Sequence, residues 1–271
     1  MNSQTVPTRT HARPTFTSIV CGVDGGTTGR DAALQAALLA DEGTALTYVA
    51  VSWDQAAGAT TADNDARDSL CRARDKARAL GVHSSVVNEQ SYDPAGRLLE
   101  LAAGHDLLVL DSTGHSRARG IMDGSAVTAA VHRSEVPVLV ARQPPEGVAF
   151  PARIILASDG TPASDAAASL TARIAERHGA HVAIVGARDH DAPFRPGLAE
   201  HATLIEEATG TEPLILDHGG PPHDAVAAAA RDFGSSLIVT GSRGLTGVSA
   251  LRSVSERLAH TAPCSVLVVR P

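Results

Sequence analysis

The residues best suited to chemistry lie in a glycine-containing segment, in which Asp111-Ser-Thr-Gly114 is followed, after nine further residues, by Gly124 and Ser125. Glycine lets the backbone approach a phosphate group closely, and the first turn of a helix offers free N–H donors and the positive end of its dipole. The Ser125 hydroxyl would add another donor. This pattern suits a phosphate-bearing ligand, and it equally fits a purely structural turn between a strand and a helix.

Two aspartates occupy similar places at the ends of apolar runs, Asp24 in "SIVCGVDGG" and Asp159 in "RIILASDGT". A carboxylate at such a point can act as a base, but no nucleophile or second acid accompanies either of them. We expect each aspartate either to orient a ligand or to form the turn.

Other catalytic and metal-binding patterns are missing from the sequence. There is no GxxxxGK[ST] phosphate loop and no GxSxG nucleophile elbow. The twelve histidines are scattered, and none has a partner at the spacing typical of zinc ligands. We therefore predict no catalytic residue and no metal site, and we do not expect an enzyme.

The chain contains an internal duplication. "FTSIVCGVDGG" near the start is answered by "PARIILASDGT", "DLLVLDSTGHS" by "SLIVTGSRGLT", and "VPVLVARQPP" by "CSVLVVRP". Three matches occur in the same order at nearly the same offset, which chance does not readily produce. We predict a tail at 1–16, a first domain at 17–143, a linker at 144–151 and a second domain at 152–271.

Apolar runs rich in Val, Ile and Leu alternate with alanine-rich amphipathic stretches, which predicts alternating strands and helices. In the first copy we predict strands at Ser18–Val23, Leu46–Ser52, Val82–Asn88, Leu107–Asp111 and Val136–Ala141, and helices at Thr28–Ala40, Asp63–Leu80, Pro94–Ala103 and Gly124–His132. In the second we predict strands at Ile154–Ser158, His181–Ala187, Pro213–Asp217, Leu237–Gly241 and Ser265–Val269, and helices at Ser164–Gly179, Gly197–Thr209, Pro222–Phe233 and Ser253–His260.

This alternation predicts an α/β fold with doubly wound, open parallel sheets and right-handed crossovers. Because the pattern is duplicated, we expect two tandem domains, each with its own five-stranded sheet, related by a pseudo-twofold axis. Ligands of such folds bind beyond the carboxyl ends of the strands. Asp24, Asp111, Asp159 and Gly241 all fall at strand ends of this kind.

Composition argues against two classes of partner. The formal net charge is −7 and Lys and Arg form no run, whereas a nucleic-acid-binding domain normally has a basic face. No apolar stretch reaches the roughly 18 residues of a membrane span, and the tail has no apolar segment like that of a signal peptide. We expect a cytoplasmic protein that binds neither nucleic acid nor membrane.

The strand ending in Asp-Gly, the glycine-containing segment and "SVSERLAHTAPCSVLVVRP" together resemble the universal stress protein family, over about Ser18 to Pro271. The resemblance implies a nucleotide alpha hydrolase-like fold in which the last strands, Val136–Ala141 and Ser265–Val269, pair the domains. It also implies ATP binding in members that keep a G-x2-G-x9-G-[S/T] loop.

Carried over to this chain, the family pattern assigns an aspartate facing the nucleotide, a residue contacting adenine and a phosphate loop in each copy. In the first copy these are Asp24, Val51, Asp111, Gly114, Gly124 and Ser125, and in the second Asp159, Ala187, Gly241, Gly244 and Ser253.

Both copies depart from that pattern. In the first, Asp111 replaces the leading glycine, although the spacing is kept. In the second, the loop after Gly244 is two residues short and Arg252 stands in place of the distal glycine. The comparison favours ATP in the first domain over the second. We expect Mg²⁺ only together with the nucleotide, because Asp123 would otherwise repel phosphate.

The leading hypothesis is a non-catalytic stress-response regulator whose conformation or partner choice responds to ATP. Two alternatives stay open: a scaffold that works without nucleotide, and a slow ATP hydrolase. The sequence also leaves open whether two chains associate into a homodimer beyond the intrachain pair.

Overall fold

The computed structural model describes residues 14–23, 30–53, 60–112, 126–160, 162–186, 196–242 and 253–270. The strands are β1 Ser18–Gly22, β2 Ala45–Trp53, β3 Ser84–Ser91, β4 Leu107–Asp111, β5 Val138–Ala141, β6 Arg153–Ser158, β7 His181–Gly186, β8 Leu214–Leu216, β9 Leu237–Gly241 and β10 Ser265–Val269. The helices are α1 Arg30–Leu39, α2 Thr60–Ala79, α3 Pro94–Ala102, α4 Ala126–Arg133, α5 Pro162–His178, α6 Pro196–Thr209, α7 Pro222–Phe233 and α8 Val254–Thr261.

Every strand and helix predicted from the sequence has a counterpart in the described residues, and the ends agree within a few residues. The largest differences are at β3 and α2, whose observed bounds are extended or shifted relative to the prediction. Starts predicted at Thr28 and Gly124, and an end predicted at Ala187, lie outside the described residues.

The ten described strands form a single sheet in the order β3-β2-β1-β4-β5-β10-β9-β6-β7-β8. Each half is a parallel five-stranded unit with the same internal order, so the prediction of two tandem doubly wound domains is confirmed. The expectation of two separate sheets is wrong. Strands β5 and β10 pair antiparallel, because each would otherwise be an edge strand with unpaired backbone N–H and C=O groups.

The register of this junction has twofold symmetry. Leu139 lies opposite Leu267, which is its equivalent in the second copy, and Val140 lies opposite Val266. The pseudo-twofold axis therefore passes between the two leucines. Because the axis reverses the strand direction, the carboxyl ends of the strands in the two halves lie on opposite sides of the sheet. We call the side with the carboxyl ends of the first half the first edge, and the side with those of the second half the second edge.

Two apolar layers cover the two faces of the sheet. In β4, Leu107 and Val109 belong to the layer under α1, α2, α5 and α6, whereas Leu108 and Leu110 belong to the layer under α3, α4, α7 and α8. Burial on both faces explains why these strands read as continuous apolar runs. None of the described helices is both long and apolar enough to cross a membrane.

A symmetric pair of arginines joins the halves on one face. Arg142 directly follows β5, and its Nη2 donates a 2.5 Å hydrogen bond to the Ala259 carbonyl near the end of α8. Arg270 directly follows β10, and its Nη2 donates a 2.5 Å bond to the Val131 carbonyl near the end of α4. Each cation thus meets the negative end of a helix in the other half, where it is stabilising. Burial lowers the pKa of both arginines.

The same two helices also contact each other through side chains. His132 Nε2 of α4 lies 3.0 Å from Glu256 Oε1 of α8, and Thr128 Oγ1 lies 3.1 Å from His260 Nε2. His132 and His260 are equivalent positions of the duplication, as are Thr128 and Glu256. The two contacts are therefore related by the pseudo-twofold axis, although their chemistry differs.

We predict that Arg142→Met and Arg270→Met each lower the free energy of unfolding by about 1–3 kcal/mol, because each leaves a helix carbonyl without its charged donor. Urea denaturation followed by circular dichroism measures the change. Arg74→Met, an exposed residue of α2, is the control and should change stability by less than about 0.5 kcal/mol. Equal effects for all three would show that the arginines do not hold the halves together.

Candidate functional site

The described part of the chain contains five of the predicted site residues: Val51, Asp111, Asp159, Gly241 and Ser253. The predicted residues Asp24, Gly114, Gly124, Ser125, Ala187 and Gly244 lie outside the described residues. The first four of the described set lie at or next to the carboxyl end of a strand, as the sequence predicts.

These residues form two groups rather than one. Val51 in β2 and Asp111 in β4 lie on either side of β1 at one edge of the sheet. Asp159 directly follows β6, next to Gly241 at the end of the neighbouring strand β9, and both lie at the opposite edge. The structure thus has two candidate sites, one for each half.

Asp111 is the charged residue among the described members of the first site. It is only 7% exposed, and it is the last residue of a strand that is buried on both faces. Burial raises the pKa of the neighbouring Cys21 thiol, and the negative charge of Asp111 raises it further. The same charge raises the pKa of Arg142, against the larger effect of burial. A buried carboxylate of this kind accepts hydrogen bonds from sugar hydroxyls more readily than it tolerates a phosphate.

The second site contains a hydrogen-bonded chain that sequence reasoning missed. Ser158 Oγ lies 2.9 Å from His201 Nδ1, and His201 Nε2 lies 2.8 Å from Asp165 Oδ1. The Ser158 oxygen also contacts Ser164 Oγ at 3.2 Å and accepts a 3.1 Å bond from the Gly160 N–H. The chain joins the end of β6 to α5 and α6, directly beside Asp159.

A serine, a histidine and an aspartate linked by hydrogen bonds are the residue types of a hydrolase triad. This arrangement, however, cannot perform nucleophilic hydrolysis. Ser158 is 2% exposed and His201 is 5% exposed, so a substrate carbonyl cannot reach the hydroxyl. The Ser158 oxygen is moreover surrounded by the partners just described. The Ser158–His201–Asp165 hydrogen bonds therefore have a structural role: they hold the turn at 158–160 against two helices.

The start of helix α6 packs against the same turn. A Cβ atom added at Gly197, in the first turn of α6, would lie 2.6 Å from the carbonyl oxygen of Gly160. Only glycine allows that approach, because real Cβ atoms do not come so close to a backbone oxygen. The start of α6 thus occupies space immediately next to Asp159 in the second half.

Ser253 has a structural partner as well. It is the N-cap of α8, where its Oγ accepts a 3.2 Å hydrogen bond from the Glu256 N–H. N-capping satisfies a helix donor that would otherwise lack a partner. A phosphate-binding role for Ser253 stays a prediction.

The structure also has a cavity away from the predicted sites, and its described residues lack a metal-binding group. A cavity of about 500 Å³ lies at the amino ends of β6 and β7, lined in part by Arg153, His181 and Leu214. It contains none of the predicted site residues, so we do not assign it to the ligand. In the described ranges, no group of three or more His, Cys, Asp or Glu side chains is placed to hold a metal.

Comparison with known proteins agrees with this fold and with the duplication. The sequence model described as the universal stress protein family matches twice, at residues 15–142 and 152–270. A universal stress protein of Mycobacterium tuberculosis is 28% identical over 214 residues, which cover 71% of this chain and 70% of the relative. A universal stress protein of Thermus aquaticus is 32% identical over 135 residues, 43% of this chain and 97% of the relative.

The same agreement is found among solved structures. The crystal structure of a universal stress protein from Archaeoglobus fulgidus has a TM-score of 0.76 at 20% identity, and the match covers 94% of this chain and 96% of that one. The fold is thus an α/β fold found in a universal stress protein. Because the family model matches most of the sequence in two copies, the chain belongs to the universal stress protein family and is a tandem member of it.

We predict that His201→Ala lowers the free energy of unfolding by about 2 kcal/mol, since it leaves the buried Ser158 hydroxyl with one partner fewer and removes the bond to Asp165. Guanidinium denaturation measures the loss. His83→Ala, at an exposed position before β3, is the matched control and should be nearly neutral. If both variants were equally stable, the chain of contacts would not support the turn.

Proposed function

We propose that this universal stress protein is a non-catalytic cytoplasmic regulator, and that an adenine nucleotide bound by the first half changes its conformation or its choice of partner. A nucleotide can act in this way only by binding one conformation more tightly than another. The proposal rests on family membership, on the phosphate-loop pattern of the first copy and on the difference between the two strand edges.

We assign the nucleotide to the first half because internal contacts already occupy the second edge. There the start of α6 packs against Gly160 with no room for a Cβ atom, and the Ser253 hydroxyl caps α8. A phosphate at this edge would compete with that capping bond, in a loop that is also two residues shorter than the family pattern.

The first edge offers a group that suits the sugar of a nucleotide. Asp111 lies at the carboxyl end of β4, next to β1, in the crevice where doubly wound folds bind their ligands. Its buried carboxylate can accept hydrogen bonds from ribose hydroxyls, which are stronger where water is excluded. The replacement of the leading glycine by Asp111 is thus compatible with a nucleotide.

Two of the three cysteines also favour a non-catalytic role. Cys21 and Cys264 are both buried, and burial raises the pKa of both thiols, that of Cys264 to about 12. A thiol with a raised pKa supplies almost no thiolate at neutral pH, so neither residue is an effective nucleophile. Ser158, whose hydroxyl contacts His201, is closed off from solvent.

We expect calorimetric titration with ATP in the presence of Mg²⁺ to give at most one site per chain. Gly124→Val should weaken binding by at least about tenfold, because a branched side chain blocks the approach of phosphate to the backbone N–H groups. Asp111→Asn should weaken it by about tenfold, since the ribose loses a charged acceptor.

Gly244→Val is the matched control at the equivalent glycine of the second copy, and it should leave the affinity unchanged. Two equivalent sites, or loss of binding in the Gly244 variant alone, would contradict the assignment to the first half. An absence of binding would favour the scaffold, and release of phosphate above background would favour the slow hydrolase. Titration without Mg²⁺ tests whether the cation is needed beside Asp123.

A further inference from the structure

An ion pair joins two equivalent positions of the duplication. Asp41 lies two residues before Gly43 and Arg177 two residues before Gly179, and these glycines have positive φ angles and precede β2 and β7. Arg177 Nε lies 2.5 Å from Asp41 Oδ1. A residue that meets its own equivalent lies on the pseudo-twofold axis.

The acidic side of this pair is well buried. The side chain of Asp41 is 6% exposed and that of Arg177 is 46% exposed. The second carboxylate oxygen, Asp41 Oδ2, accepts a 2.8 Å hydrogen bond from the Thr15 N–H. On the same face of α5, Arg173 donates to the carbonyls of Pro14 and Thr15. The segment leading into β1 is thus held to the second half at several points.

A twofold axis makes this pair informative, because it brings equivalent positions of two subunits together. Two copies of the first half, joined in the same way, would place Asp41 opposite a second Asp41. Two copies of the second half would place Arg177 opposite a second Arg177. Like charges at contact distance are strongly unfavourable, so the ion pair forms only between unlike halves.

A second, independent contact has the same property. Ser265 Oγ, at the start of β10, donates a 2.8 Å hydrogen bond to Gln35 Oε1 and accepts a 3.0 Å bond from the Arg142 N–H. Gln35 Nε2 in turn donates to the Arg142 carbonyl at 2.7 Å. Ser265 is completely buried and Gln35 is 1% exposed. Because water cannot replace either side chain at this buried position, the hydrogen bonds need both Ser265 and Gln35.

The equivalent positions cannot reproduce that network in a pair of first halves. The residue equivalent to Ser265, counted from the Leu139–Leu267 register, is Pro137. Proline has neither a hydroxyl nor a backbone N–H, so Gln35 would lose its donor and Arg142 its acceptor. By contrast, the guanidinium bonds of Arg142 and Arg270 go to carbonyls, so either kind of pair could keep them.

We propose that the pairing surface formed by β5, α1 and the segment before β1 is specific for the second half of this chain and rejects a second copy of the first half. Asp41–Arg177 and Gln35–Ser265 provide the selection, whereas the arginine bonds to the helix ends provide affinity that any pairing would share. The two copies have thus diverged into complementary partners that are no longer interchangeable.

The experiment starts from the folded full-length protein with a protease site inserted between Glu146 and Gly147, which are both exposed in the connection from β5 to β6. After cleavage, native mass spectrometry of the diluted protein measures which fragments stay together. We expect complexes of one amino-terminal and one carboxyl-terminal fragment. Complexes of two amino-terminal or two carboxyl-terminal fragments at comparable abundance would overturn the proposal.

Charge reversal then tests the ion pair itself. Arg177→Asp should raise the dissociation constant of the cleaved complex by at least about tenfold, because it places two carboxylates together. In the Asp41→Arg background, adding Arg177→Asp should tighten the complex by about tenfold, although the lost bond from Thr15 prevents full recovery. Arg74→Asp, on exposed α2, is the matched control for charge and should have no effect.

The combined variant keeps the test decisive even if a single reversal impairs folding. A double variant that binds no more tightly than Asp41→Arg alone would show that the two charges do not recognise each other. Ser265→Ala should also weaken the complex by about tenfold, since it removes a buried hydroxyl with two partners. An unchanged dissociation constant in that variant would remove the buried network from the selection.

Discussion

The antiparallel pairing of β5 with β10 is the interaction on which the rest of the structure depends. Each of these strands would be the edge of a five-stranded sheet, and an unpaired edge invites association with other chains. Their backbone hydrogen bonds convert two edges into the centre of one ten-stranded sheet, with the pseudo-twofold axis between Leu139 and Leu267. Because the junction reverses the strand direction, it also decides where the two candidate sites lie, at opposite edges of the sheet.

Around that axis, the contacts divide into those that duplication preserved and those in which the copies diverged. Arg142 and Arg270 make the same bond to the end of the other half's helix. Asp41 and Arg177, in contrast, occupy one position of the duplication with opposite charges. A gene duplication within one chain permits this divergence, because the two halves always meet as unlike partners and need not be self-complementary.

The candidate sites have diverged in a comparable way. The second edge is filled with internal contacts, among them the Ser158–His201–Asp165 chain and the close approach of Gly197 to Gly160. The first edge has a buried carboxylate, Asp111, where the second has Gly241. One fold thus provides two strand edges with different chemistry.

The sequence by itself determined the duplication, the order of strands and helices, and the strand ends at which Asp111 and Asp159 lie, because hydrophobic periodicity and turn residues are local properties of the chain. Hydrophobic periodicity did not show that both copies share one sheet, since the backbone groups of an edge strand carry no signature of their partner; only the family resemblance implied that the last strands pair, as β5 and β10 do. Nor did it reveal that His201 meets Ser158, that Ser265 meets Gln35 or that Asp41 meets Arg177. Those contacts join residues that are far apart in the chain, and only the packing of helices across the sheet and the register at the axis bring them within hydrogen-bonding distance.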